Sequence, residues 1–208
     1  MKKKILLFTL LFSITDSLFA VYQSYFDSLK YSFSFIYYKD LSDTYGGGDV
    51  FSGEINITKS WYGASISFGH FQSQSTFILT IPIDDVNSMI NIPFEEMAIM
   101  KIGTLSIEII PVRNRWLITE LLVGIAYGKA NQSCYKSVDF SYNTIEERFN
   151  YLLRDYQLIR KDHFGYQTGI NLTIYPFRKI GLKLSAKLQD LNHGGTFFLI
   201  GGGLCFKY

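Results

Sequence analysis

The chain has 208 residues, of which 48% are hydrophobic and 17% aromatic, and its formal net charge is +2. This length fits one domain with a sizeable core. The near-neutral charge provides no basic patch for nucleic acid, so we expect no nucleic-acid partner. The aromatic residues, 15 Tyr and 18 Phe among them, are typical of β-strands and of membrane interfaces.

The first 20 residues have the pattern of a secretory signal peptide. Three lysines are followed by an apolar run at 5–14 and by a small residue, Ala20, at a plausible cleavage point. Ten apolar residues are too short to cross about 30 Å of hydrocarbon as a helix. We therefore expect residues 1–20 to be removed, which leaves one domain at 21–208 with 17 basic and 17 acidic residues.

From residue 29 onwards, apolar and polar side chains alternate with a period of two. This alternation is typical of strands with two different faces. Eight stretches show it: 29–40, 51–59, 62–70, 104–110, 116–128, 164–175, 180–189 and the C-terminal stretch 195–208.

The connections between these strands alternate between short and long. The short ones are 60–61, 111–115 and 176–179, and the long ones are 41–48, 72–97, 129–161 and 190–195. Bacterial transmembrane barrels have this asymmetry, with short periplasmic turns and longer extracellular loops. The aromatics Trp61, Trp116, Tyr175 and Phe177 lie at the short-turn end, where an interfacial girdle is expected.

A closed barrel explains both patterns. Within hydrocarbon every backbone N–H and C=O must be paired inside the protein, which only helices and closed barrels achieve. The sequence therefore predicts an all-β fold, an eight-stranded antiparallel transmembrane β-barrel in the outer membrane. Its apolar face meets lipid, and both ends of the mature chain lie on the periplasmic side.

Six charged residues are predicted to point into the barrel. Eight strands leave an interior just wide enough to be filled by side chains. An unpaired buried charge costs several kcal/mol, so these acids and bases should pair and plug the lumen as a structural network. They are Lys30, Glu54, Glu108, Glu120, Lys183 and Lys187.

The two longest loops carry signals of their own. Thr144 and Glu147 fit a helix capping box, and the apolar residues from Ile145 to Tyr156 fall on one helical face, which predicts a short helix in the long extracellular loop. Segment 75–83 could be a ninth strand. A closed single-chain barrel needs an even number of strands, so we expect an extended hairpin above the membrane instead.

The segments INLTIYPFRKIGLKLSAKLQ and GGGLCFKY carry a family resemblance. Over residues 29–208 the chain resembles small outer-membrane barrels of the OmpA/OmpX type, especially Tyr-rich, Bacteroidota-like ones. In such families a C-terminal strand that ends in an aromatic is read by the barrel-assembly machinery. Here Tyr208 occupies the position where Phe is commoner.

No catalytic, cofactor-binding or metal-binding residue is predicted. His70, His163 and His193 are expected at the outer rim on separate strand ends or loops. Some small barrels are lipid A-modifying hydrolases with His and Ser two residues apart, but Gln72, Gly165 and Gly195 occupy those positions here. Cys134 and Cys205 are expected at opposite ends of the barrel, too far apart to bridge, and therefore free.

The predicted function is that of a non-enzymatic outer-membrane barrel. Its expected partners are outer-membrane lipid, the assembly machinery and an extracellular partner bound through loops 72–97 and 129–161, and its expected role is surface interaction or envelope integrity. Two alternatives remain at this point: a lipid A-modifying barrel enzyme, and a soluble secreted lipocalin-like barrel with its apolar face inside.

Overall fold

The computed structural model describes residues 29–42, 44–83, 88–143, 146 and 148–208. The predicted signal peptide at 1–20 lies outside these residues. The strands are β1 Lys30–Asp40, β2 Gly48–Lys59, β3 Tyr62–Ile83, β4 Ser88–Arg113, β5 Leu117–Asn143, β6 Arg148–Ile174, β7 Ile180–Asp190 and β8 Thr196–Lys207, with one 3₁₀ turn at Thr44–Gly46.

The eight strands close into one barrel. Each strand pairs antiparallel with its neighbour in the sequence, and β8 returns to pair with β1, from Ser32 opposite Lys207 to Asp40 opposite Leu199. The predicted antiparallel eight-stranded barrel is therefore confirmed. Within the described ranges no helix is long and apolar enough to cross a bilayer.

The outer face of the barrel is apolar and the inner face is largely polar. Large side chains such as Phe35, Ile107 and Val123 are exposed on the outside, whereas Ser34, Glu108 and Glu120 on the same strands are buried. This orientation places a hydrocarbon-like surface where lipid would lie. It is the reverse of a lipocalin-type barrel, whose interior is apolar.

Strands β3 to β6 are about twice as long as the other four. Each has 22 to 27 residues, against 11 or 12 in β1, β2, β7 and β8. The sequences assigned to loops 72–97 and 129–161 mostly continue these strands as two hairpins. Segment 75–83 is the upper part of β3 and pairs with β4, from Ser75 opposite Glu96 to Ile83 opposite Ser88, so the predicted extended hairpin is confirmed.

The predicted short helix is wrong, because β6 begins at Arg148 and includes Phe149 to Tyr156 of that segment. Thr144, Ile145 and Glu147 lie outside the described residues. Tyr142 pairs with Phe149 and Ser141 with Tyr151, which leaves Asn150 as an extra residue in β6. This bulge sets the inward side chains Phe149 and Leu152 three positions apart. A spacing of three in a bulged strand mimics helical spacing, and that is why the sequence pattern misled.

Candidate functional site

A cluster of buried charges fills the middle of the lumen. The Nζ atoms of Lys183 and Lys187 both bind the carboxylate of Glu54, the second over 2.9 Å. Lys183 Nζ also lies 3.3 Å from Oε2 of Glu120. The cluster thereby joins β2, β5 and β7 across the barrel, and all four side chains are excluded from solvent.

Neutral side chains extend this cluster around the lumen. Asn171 Nδ2 donates to Glu120 Oε2 over 3.1 Å, and Ser185 Oγ donates to the oxygen of the same amide over 2.7 Å. The Tyr38 hydroxyl donates to Ser185 Oγ over 3.1 Å. We did not predict these three residues, although their alternation places them on the same inward face as the charges.

Glu108 and Lys30 differ from the other four predicted residues. Glu108 is fully buried, and its Oε1 accepts a hydrogen bond from Asn56 over 2.7 Å, but its Oε2 has no partner among the described residues. Lys30 is half-buried and lies opposite Thr58, four residues along β2 from Glu54, which is about 13 Å of strand. The cations that bind Glu54 and Glu120 are thus Lys183 and Lys187.

Apolar side chains close the outer end of the lumen. Phe71 and Phe197 meet edge to face with ring centroids 5.3 Å apart, and Tyr45 from the 3₁₀ turn covers both. Tyr38 fills the space beside Gly201, where a Cβ atom would overlap its ring. These residues belong to one buried cluster that also includes Met100 and Leu191.

The short-turn end of the barrel is closed by a smaller cluster. Tyr175 is buried there with Ile110, Ile118 and Cys205, and its hydroxyl lies 3.2 Å from the sulfur of Cys205. The placement of Tyr175 in the interfacial girdle is therefore wrong, because its side chain points into the barrel. Trp61, Trp116 and Phe177 are exposed at this end.

Above the rim, the upper parts of β3 to β6 form a structure that we call the arm, residues 73–83, 88–96, 134–143 and 148–157. The pairing of β2 with β3 ends at Gln72, that of β4 with β5 at Met97, and that of β6 with β7 at Tyr166. The arm consequently consists of two separate hairpins, each extending by about 35 Å of strand.

The two hairpins share an apolar core. Phe94 is fully buried, stacks on Phe77 at 5.3 Å and meets Tyr135 edge to face at 4.5 Å. The arm is therefore a folded unit rather than a pair of loose loops. The core comprises Phe77, Leu79, Ile81, Ile90, Ile92, Phe94, Tyr135, Val138, Phe140, Tyr142, Phe149 and Leu152.

Despite this core, the arm leaves large apolar side chains on its surface. We call the set on β6 the outer strip: Tyr151, Leu153, Tyr156 and Leu158, with exposed fractions of 47%, 64%, 37% and 58%. Tyr151 and Leu153 lie on the face of β6 that points away from the arm core, whereas Tyr156 and Leu158 lie on the opposite face, where the Tyr156 ring is 6.4 Å from that of Phe94. Leu158 lies one residue beyond the arm. The sequence signal for this strip was masked by the helical interpretation of the same residues.

The histidines do not come together. His163 is buried at the barrel mouth, with Nδ1 3.4 Å from the carbonyl oxygen of Asn192, whereas His70 is exposed on the outer face. His70 lines an open polar groove of about 700 Å³ together with Lys39, Asp49 and Gln72. Among the residues described, no three His, Cys, Asp or Glu side chains are grouped as metal ligands.

The two cysteines are free, as predicted. Cys134 lies half-buried in the arm, and Cys205 is buried at the short-turn end of the barrel. Burial raises the pKa of the Cys134 thiol, and the nearby Glu96 carboxylate raises it further. Cys134 is therefore a protonated, weakly reactive thiol at neutral pH.

Solved structures of other small barrels share this fold. The attachment invasion locus protein Ail of Yersinia pestis superposes with a TM-score of 0.51 at 12% identity, covering 88% of this chain and 99% of Ail. The complex of Ail with the heparin analogue sucrose octasulfate gives the same score and identity over 86% and 97%. For the N-terminal β-barrel domain of Pseudomonas aeruginosa OprF the TM-score is 0.47 at 12% identity, over 86% and 97%.

No family model and no curated protein matches the sequence. The likeness to solved structures therefore concerns the fold, which is that of the small eight-stranded outer-membrane barrels. Together with the apolar outer band, this fold places the chain in the cell outer membrane.

Proposed function

We propose that this chain is a non-enzymatic outer-membrane barrel that binds an extracellular protein through the outer strip of its arm. The observation that carries the proposal is the arm itself. Its hairpins enclose a core of their own, and β6 still exposes Tyr151, Leu153 and Tyr156 in the arm and Leu158 just below it. The proposal includes export by the signal peptide at 1–20 and insertion by the barrel-assembly machinery, which would read the strand ending at Tyr208.

The filled lumen argues against a transport role. Apolar residues occupy its two ends and the Glu54 cluster its middle. An eight-stranded barrel has room for little beyond its own side chains. A filled lumen therefore favours binding at the surface over transport through the barrel.

The arm has the composition of a protein-binding surface. Tyrosine and arginine are enriched at the centres of protein interfaces. The outer strip has two tyrosines, and Arg154 lies between them in the sequence, on the face of Tyr156, with its guanidinium 5.8 Å from the centre of the Phe94 ring. Exposed apolar patches beyond scattered single residues mark interaction sites. The folded core holds these side chains in fixed positions, so little ordering entropy is lost on binding.

The charges of the arm favour a protein over a sulfated sugar. The structure of Ail has been solved in complex with a heparin analogue. Binding of such a sulfated sugar to this chain would require cations that are not already paired with acids. Here Lys136 pairs with Asp155 at 2.7 Å, and Arg148 pairs with Glu146 at 2.6 Å. The hydrogen bond to Asp155 also raises the pKa of Lys136. Two of the three cations of the arm are thus paired with acids, and the third, Arg154, lies over the Phe94 ring at 5.8 Å.

A lipid A-modifying enzyme is supported less well. The His–Ser pair of such hydrolases is missing from the sequence, and His163 points into the mouth of the barrel rather than towards lipid.

The test compares bacteria that produce three forms of the barrel for adhesion to immobilised host-matrix proteins and to cultured cells. The first is wild type, and the second replaces the four residues of the outer strip with Ser. The third, the matched control, carries Ile78→Ser and Met89→Ser on exposed positions of the other hairpin. We expect adhesion to fall at least tenfold in the strip variant and to persist in the control.

Surface amounts of each form are measured by labelling intact cells, so that loss of adhesion is not confused with loss of protein. If the strip variant adheres as well as wild type, the strip is not the binding surface. If a barrel whose arm is replaced by tight turns also restores every envelope phenotype of a deletion strain, the arm is not the functional part of the chain.

A further inference from the structure

On strands β3 to β6 one row of the outward face is charged or polar, between the apolar band below it and a mixed surface above it that includes Met97 and Leu158. Below the row lie lipid-facing side chains such as Phe68, Leu105, Tyr127 and Phe164, all exposed. The row itself consists of His70 opposite Lys101, Lys101 opposite Lys129, and Lys129 opposite Asp162. It therefore marks the level where the hydrocarbon layer gives way to lipid headgroups.

This row contains an uncompensated pair of like charges. Lys101 and Lys129 are direct cross-strand partners and both are exposed. Within the described part of the chain neither forms a salt bridge, and the one acid in the row, Asp162, interacts with the Tyr127 hydroxyl. Arg160, two residues above Asp162 on β6, adds a further exposed cation.

The other side of the rim does not share this arrangement. There the cation Lys39 of β1 is bound by Asp49 of β2 at 2.9 Å, and the same carboxylate accepts a hydrogen bond from Tyr37. Among the described residues of the rim, the cations without a salt bridge thus lie on the strands that carry the arm. Like charges directly opposite each other destabilise a sheet. A bound anion would offset the repulsion between Lys101 and Lys129.

We propose that Lys101 and Lys129 together bind the phosphate group of a lipid in the outer leaflet, flanked by His70 and Arg160. Side chains opposite each other in a sheet have Cβ atoms about 4.5–5.5 Å apart, so two ammonium groups can share one phosphate. Lysine binds phosphate as a point charge through several donors. The site is independent of the outer strip and adds a lipid-binding function to the barrel wall.

The probe is phosphatidic acid, whose headgroup is a single phosphate. Wild-type barrel is reconstituted in phosphatidylcholine nanodiscs containing a graded fraction of phosphatidic acid, and the bound anionic lipid is counted by native mass spectrometry after release from the disc. We expect Lys101→Gln with Lys129→Gln to weaken retention about 25-fold, since each basic side chain near an anionic surface contributes about fivefold.

Two further variants make the result specific. Lys59→Gln with Lys179→Gln removes the same charge at the short-turn end and should leave retention within about twofold of wild type. Lys101→Arg with Lys129→Arg keeps the charge and should retain the lipid. Folding of each variant is checked by the shift in gel mobility on heating.

Equal losses of lipid retention in the Lys101/Lys129 and Lys59/Lys179 glutamine variants would overturn the proposal, because lipid binding would then depend only on overall charge. Full displacement of phosphatidic acid by millimolar inorganic phosphate would also overturn it, since the site would then take a free anion. Loss confined to the Lys101 and Lys129 variant, with rescue by arginine, supports it.

Discussion

Two isosteric substitutions within the lumen should have very different effects on stability. Glu54 accepts hydrogen bonds from Lys183, Lys187 and an Asn56 amide, all buried. Changing Glu54 to Gln replaces one carboxylate oxygen with an amide donor that faces one of the two ammonium groups, and it removes the negative charge between them. Lys183 keeps Glu120 at 3.3 Å, but Lys187 loses its carboxylate partner. Breaking a buried pair in this way costs about 3–5 kcal/mol.

Glu108→Gln makes the same change where no cation is bound. Glu108 Oε1 accepts a hydrogen bond from Asn56 over 2.7 Å, which a glutamine oxygen can also accept. Its Oε2 has no hydrogen-bond partner among the described residues, and removing the negative charge relieves repulsion from Glu120 and Glu54 while it gives up attraction to Lys183. We expect a change within about 1 kcal/mol of wild type, with stabilisation as the favoured sign.

The assay is urea unfolding of the barrel in phospholipid vesicles, followed by the fluorescence of Trp61 and Trp116. Both tryptophans are exposed on the outside near the short turns, so they move from lipid to water on unfolding. If the dependence of the unfolding free energy on urea concentration is the same in the variants and the wild type, differences in the midpoints report differences in stability. Glu146→Gln, on the solvated arm, serves as a control and should shift stability by at most about 0.5 kcal/mol. Equal midpoints for the Glu54 and Glu108 variants would refute the assignment of the charge cluster.

Two further experiments test the arm and the topology. Cys134 should react with a membrane-impermeant maleimide on intact cells, while Cys205 should stay unlabelled until the barrel unfolds. Because the pKa of Cys134 is raised, its labelling rate should still increase at a pH where the rate of a free thiol has levelled off. Labelling of Cys205 on intact cells would contradict the topology. Phe94→Ala should destabilise the arm core by about 3–5 kcal/mol and speed proteolysis of the arm on intact cells, while the urea midpoint of the barrel stays unchanged. The control is Glu95→Ala, since Glu95 lies beside Phe94 and faces water. This control should change neither the proteolysis rate nor the urea midpoint.

The barrel was predictable because lipid imposes a simple rule on each strand. Ile55 and Ile57 alternate with Glu54 and Asn56, and the same order recurs until β8 closes on β1. The arm was harder to predict, because water replaces lipid above the rim and the rule changes. At Asn150 a bulge then added one residue to the spacing, and the strand was read as a helix.

The charge cluster was predictable as a set of inward residues but not as a set of partners. Inward direction follows from alternation, so Glu54, Glu120, Lys183 and Lys187 could be named from sequence. Which cation meets which acid depends on register and on strand tilt, and these place Lys30 about four residues away from Glu54 along the barrel wall. The outer strip was not named from the sequence, because the same residues were interpreted as a helix.

Along β3 the apolar side chains change from the outer face of the strand below the rim to the inner face above it. Below the rim Ser65 and Ser67 point inward while Ile66 and Phe68 face lipid. Above it Phe77 points into the arm core while Gln74 and Thr76 face water. The alternation changes phase near residue 70, so each region has an apolar surface matched to its own surroundings. Because the arm core and the lumen are separate clusters, shortening the arm at this phase change should leave the barrel able to fold and insert.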